Sequence, residues 1–181
     1  MGLDTVEFIM ATEAAFAVDI PDAAAARIAT PRQLIAHLRG RLPAADRVPC
    51  LTQSAFYRVR ESVVAGAGVP RTDARPSTPL EAVLPGVTRR DAWRAWGRAL
   101  EAEHWPALPD GGWFGPRPAP PTLGTAARHL ATWAPAAAKR GGAWTDREIE
   151  ACVVALIGAE LGVDMARHTL DSEFARDMGV D

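Results

Sequence analysis

The chain has 181 residues and a formal net charge of -2, which allows one domain or two small ones and gives no overall field that would favour nucleic acid or a membrane surface. Hydrophobic residues make up 48% of it, but many are alanine, which fills little core volume, and no apolar run approaches the roughly 20 residues needed to cross a bilayer. The first residues carry Asp4 and Glu7 and no basic start, unlike a signal peptide. Cys50 and Cys152 stand far apart without metal-ligand spacing, as two ordinary thiols of a cytoplasmic protein would.

A first helix is predicted from about Asp4 to Phe16, with Val6, Ile9, Met10 and the run from Glu13 to Phe16 as its apolar stripe. Ile20-Pro21-Asp22 stops it and starts a short helix through Ala23 to Ile28. Thr30-Pro31 opens another, with Leu34, Ile35 and Leu38 inward, ending near Gly40. Residues 41–51 read as a linker. A helix from Thr52 to about Ala67, with Phe56, Val59 and Val63 on one face, is closed by Gly68-Val69-Pro70. After a proline-bearing loop and the apolar turn Leu80–Leu84, Arg89 or Asp91 starts a helix with Trp93, Trp96 and Leu100 on its buried side.

Residues 109–121, PDGGWFGPRPAPP, cannot be helical, and their proline-rich end favours extended polyproline conformation. Helix returns from Thr122 to Trp133, and a small, basic linker spans Ala134 to Ala143. Thr145-x-x-Glu148 is a capping box ahead of a long helix with the stripe Ile149, Cys152, Val153, Leu156, Ile157 and Leu161, terminated by Gly162. Nothing alternates with period two, so the fold class is all-α.

The chain also repeats itself. Residues 55–80 align without gaps to 149–174, so that Val59 meets Val153, Val63 meets Ile157, Gly68-Val69 meets Gly162-Val163 and Leu80 meets Phe174. Residues 30–38 align to 122–130, and Leu108-Pro109-Asp110 repeats Ile20-Pro21-Asp22. Helical periodicity alone would not keep glycines, prolines and helix starts in order. Two helical units are therefore expected. One is split into 1–41 plus 143–181, and the other, 52–134, is inserted between its parts.

Read tail to head, the split unit gives Phe174-x-x-Asp177-Met178-Gly179-x-Asp181 followed by Leu3-Asp4-Thr5-Val6-Glu7, then Phe16-x-Val18-x-Ile20-Pro21 and Thr30 to Leu38, after a long helix ending in ELGVD (Glu160–Asp164). This ordered set, over about 78 residues, resembles the acyl carrier protein family, with its F-x-x-D-L-G-x-D, L-D-T-V-E and F-x-I-x-I-P segments. The inserted unit is a weaker relative, with a Gly/Pro/Trp stretch in place of the third helix. The resemblance implies a four-helix bundle, here apparently circularly permuted, whose acidic second helix docks on basic patches of acyl-processing enzymes. Asp4, Glu7 and Glu13 match positions on that helix.

The family attaches phosphopantetheine to a serine between the aspartate and the leucine. Here Gly2 stands at that place and has no hydroxyl to attack coenzyme A. Ser54, Ser62, Ser77 and Ser172 all lie elsewhere. In the inserted unit Thr88 is a hydroxyl at roughly the corresponding position, but it lacks the preceding aspartate and is followed by Arg89-Arg90. No phosphopantetheine or other cofactor is therefore expected.

Charge is placed unevenly. Residues 1–26 hold five acids and no Lys or Arg, whereas 53–100 hold eight arginines against four acids. These read as solvated faces or as faces that dock partners of opposite sign. The partner-binding candidates are Asp4, Glu7 and Glu13 on one helix, Arg89, Arg90, Arg94 and Arg98 on another, and Trp113 in the Gly/Pro loop. His37, His104, His129 and His168 have no metal spacing, and His37 and His129 occupy equivalent places in the repeat. No P-loop, dinucleotide fingerprint or zinc pattern occurs.

The expected function is non-enzymatic: an acyl-carrier-like protein that binds or scaffolds acyl-processing enzymes or a carrier protein in fatty-acid or polyketide-type metabolism. The alternatives are an atypical carrier with a non-standard or partner-supplied attachment site, and an enzyme using the Trp/Gly/Pro loop as a lid. The stripe on the last helix needs a cover, supplied either by the chain's own first helices or by a second molecule in a swapped homodimer; a homodimer is expected.

Overall fold

The computed structural model describes residues 2–46, 49–83, 122–139 and 142–180, together with 91, 94, 95, 97 and 98. It is all-α: among the described residues there is no strand, only two isolated β-bridges. The chain divides into two compact units, Met1–Pro49 with Lys139–Asp181 and Cys50–Ala138.

In the split unit, α1 (Leu3–Phe16) ends where Ala17 takes a left-handed φ of 53° and donates its N–H to the Glu13 carbonyl. α2 (Asp22–Ala25) is a single turn. α3 (Pro31–Arg39) begins at Thr30, whose hydroxyl accepts from the Gln33 N–H at 3.3 Å, while Gln33 Oε1 accepts from the Ala29 N–H at 2.7 Å. Such a cap satisfies backbone donors that the first helical turn leaves open and contributes about 1 kcal/mol. The last long helix, Asp146–Glu160, has a reciprocal box in which Thr145 and Glu148 each accept from the other's backbone. It buries Ile149, Cys152, Val153, Leu156 and Ile157 against α1 and α3 of the same chain. Covering that stripe stabilises the unit by several kcal/mol at about 25 cal/mol per Å² of apolar area.

The segment after that helix folds back on the same unit. Gly162 takes a φ of 66°, a 3₁₀ turn covers Met165–Arg167, and the Phe174 N–H donates to the Ala29 carbonyl at 2.9 Å. The Phe174 ring lies 5.5 Å from that of Phe8 on α1.

In the inserted unit, α4 (Leu51–Ala67) starts one residue before Thr52 and closes at Gly68, φ 65°. α5 (Leu80–Val83) is one turn. α6 (Leu123–Trp133) has a capping box made by Thr122 and Thr125. α4 packs on α6 around Ala55, Val59, Val63, Leu80, Leu123 and Leu130. Positions 91, 94, 95, 97 and 98 are helical. The stretch 109–121 and the positions Trp93, Trp96 and Leu100 lie outside the described residues.

The linker expected over 134–143 contains a further short helix, α7 (Pro135–Lys139), so the long helix at Asp146–Glu160 is α8. Pro135 can head such a turn because it needs no hydrogen-bond acceptor there. The connecting segments of the split unit are themselves structured: the Trp144 N–H donates to the Pro43 carbonyl at 2.7 Å, and Ala45 donates to the Trp144 carbonyl at 2.8 Å. No helix among the described residues is long and apolar enough to cross a membrane.

Candidate surface on helix α1

α1 presents two apolar faces. Thr5, Phe8, Thr12, Ala15 and Phe16 are buried at helical spacing. Phe8 meets Phe174, Phe16 lies 5.0 Å from Trp144, and the Thr12 hydroxyl donates to the Phe8 carbonyl at 2.8 Å, so that polar atom is satisfied in the core. On the opposite side Leu3 is 71%, Val6 38% and Met10 57% exposed. The positions 3, 6, 7 and 10 form a single stripe on a helix, so exposed Glu7 lies among the three apolar residues, with exposed Asp4 beside them. Val6 and Met10, read from the sequence as part of the buried stripe, thus belong to the solvent face. Large apolar side chains grouped in water with carboxylates interleaved mark an interaction surface more often than an isolated exposed residue does.

Glu13 is not part of that surface. Its Oε1 accepts the Ile20 N–H at 2.6 Å and closes the turn between α1 and α2. Gly2 is the N-cap of α1, with φ -77° and ψ 179°, and accepts the Val6 N–H at 3.3 Å through its carbonyl; no side chain caps this end. The loop carrying Phe174 and Asp177 is fixed from within. The Asp177 carboxylate accepts the Glu173 N–H at 2.8 Å and pairs with Arg176 Nε at 3.0 Å, and the Arg176 guanidinium in particular holds its carboxyl below the usual range. Gly179 supplies a left-handed φ of 70°, and Val180 is buried.

Of the arginine candidates, Arg94 and Arg98 lie exposed on helical positions, and Arg94 approaches Asp91 at 3.8 Å. Arg89, Arg90, Trp113, Thr88 and His104 lie outside the described residues. His129 is largely buried beside Trp133, with ring centroids 5.9 Å apart, and burial pushes its pKa down to about 4. Cys152 is a buried free thiol pushed up to about 12, chiefly by the same desolvation, and Cys50 is an exposed free thiol. Among the described residues no group of His, Cys, Asp or Glu could hold a metal ion.

One feature of the split unit had no sequence signal. Lys139 Nζ donates to both carboxylate oxygens of Glu148, at 3.0 and 2.9 Å, with side-chain exposures of 6% and 15%. The same ammonium sits 4.8 Å from the Trp144 ring centroid.

Comparison with protein families, curated proteins and solved structures returned no match.

Proposed function

We propose that the protein is a non-enzymatic, acyl-carrier-like scaffold, with the split unit a permuted carrier bundle that carries no phosphopantetheine of its own. The observation that supports this reading is the solvent face of α1: Leu3, Val6 and Met10 exposed beside Asp4 and Glu7, immediately after Gly2. That face offers apolar anchors flanked along one edge by two carboxylates to a basic patch on an acyl-processing enzyme. Without a hydroxyl at Gly2, no ester to a phosphate can form there, so the surface acts by docking alone.

Two measurements test the reading. Incubation with coenzyme A and a phosphopantetheinyl transferase, followed by intact mass, is expected to leave the mass unchanged; a phosphopantetheine gain overturns the absence of a carrier site. Titration against carrier-dependent acyl-processing enzymes is expected to show binding that weakens at least about tenfold, or some 1.4 kcal/mol, in Glu7→Lys/Met10→Asp. Binding unaffected by that variant removes α1 as the docking helix.

A further inference from the structure

We propose that the solvent face of α1 in one copy docks on the exposed pair Arg94 and Arg98, at helical positions of a second copy. The inference rests on the reading of α1 as a docking helix and not on the acyl chemistry of its other partners. Both halves of the contact are present in the chain. Asp4 and Glu7 are exposed, three positions apart on α1, and Arg94 and Arg98 are exposed, four positions apart on their helix. At 1.5 Å of rise per residue these separations are about 4.5 and 6 Å along the axes, so two carboxylates one turn apart face two guanidiniums one turn apart.

Arginine suits this contact for two reasons. Its planar fork pairs with a carboxylate through two parallel hydrogen bonds. Its aliphatic stem can lie on Leu3, Val6 and Met10 and remove them from water. The charge bias along the chain runs the same way, because residues 1–26 hold acids and no Lys or Arg while 53–100 hold eight arginines against four acids; of those four, Asp91 lies 3.8 Å from Arg94 and is exposed like it, leaving Arg94 free to exchange one exposed carboxylate for another. Two α1 faces would repel each other, so the contact joins unlike surfaces. Reciprocal docking closes a two-fold pair, and one-way docking extends a chain of copies.

Light scattering over a concentration series tests this on the full chain. Association is expected at about 50 mM salt and is expected to weaken at least tenfold at about 500 mM, where the screening length falls below the size of the contact. Asp4→Arg/Glu7→Arg and Arg94→Glu/Arg98→Glu are each expected to be monomeric with wild-type circular dichroism, because all four side chains are exposed. Mixing the two variants restores association, since one retains the arginine helix and the other the acidic α1. A wild-type chain that stays monomeric at low salt, or a mixture that fails to associate, overturns self-docking. Either result leaves α1 open to other proteins, which the enzyme titration measures separately.

Discussion

The Arg32 N–H donates to the Leu170 carbonyl at 2.9 Å, and the inserted unit makes the same bond at the aligned positions, Gly124 to Pro76 at 2.8 Å. Neighbouring bonds recur with it. Arg167 N–H to Asp164 matches Asp73 to Pro70, Ser172 to Thr169 matches Thr78 to Arg75, and the Thr169 N–H reaches the Ser172 hydroxyl at 3.1 Å as Arg75 reaches that of Thr78 at 3.0 Å. The two units therefore share a loop geometry as well as a helical pattern. They differ in how tightly the bond is packed. A Cβ added at Gly124 would lie 2.8 Å from the Pro76 carbonyl oxygen, whereas Arg32 holds its side chain outward, bonded to Asp171 at 2.6 Å. Gly124→Ala is expected to destabilise the inserted unit by about 1–3 kcal/mol, measured as a lower urea midpoint. Arg32→Ala at the equivalent place breaks only an exposed pair and is expected to leave the midpoint unchanged.

The Lys139–Glu148 ion pair is strongly desolvated, and removing one partner strands the other's charge. Lys139→Ala is expected to cost about 3–5 kcal/mol. Glu148 also serves the capping box with Thr145, so Glu148→Gln, which keeps an acceptor for the Thr145 N–H, should cost less than Glu148→Ala. The double variant Lys139→Met/Glu148→Gln is expected to lose less than the sum of its single changes. Denaturant unfolding of the wild type, Lys139→Met, Glu148→Gln and the double variant forms the cycle that measures this coupling, and strict additivity would show that the two groups do not sense each other.

The two faces of α1 make opposite predictions. Phe8 is buried and packs on Phe174, so Phe8→Ala is expected to cost about 3–5 kcal/mol. Met10→Asp and Val6→Asp, on the solvent face, are expected to change thermal stability little while weakening partner capture. A large loss of stability in Met10→Asp would place that face in the core.

The sequence was most legible where structure is decided locally. Thr30, Thr122 and Thr145 announce their helices because capping chemistry involves residues three apart, and Gly68 and Gly162 close theirs because a left-handed φ selects glycine. The stripe of α8 was readable because its other face is polar. α1 was not, since it is apolar nearly all round: period alone cannot choose between the face with Phe8 and Phe16 and the face with Val6 and Met10. That choice is made by Phe174 and Trp144, which come from far along the chain. Glu13 misled for a related reason, being an acid on an acidic helix whose real partner, the Ile20 N–H, exists only once the chain turns. The pair of Lys139 and Glu148 depends on how a linker folds, which composition does not encode, and the helix α7 that carries Lys139 was hidden in what read as that linker.

His129 gives the pH dependence. Its pKa falls from 6.5 to about 4 because burial penalises the imidazolium. Unfolded chains therefore bind more protons than folded ones between about pH 6.5 and 4, and stability must fall as pH drops through that window, with the full penalty present below the folded value and none above the unfolded one. The shift corresponds to at most about 3 kcal/mol, and less after allowance for the part of the ring that water reaches. His129→Gln keeps polarity and size without the titration. Urea midpoints measured from pH 7 down to pH 5, above most carboxylate titration, are expected to decline in the wild type and to decline less in His129→Gln. Parallel declines in both chains would move the acid sensitivity to another group.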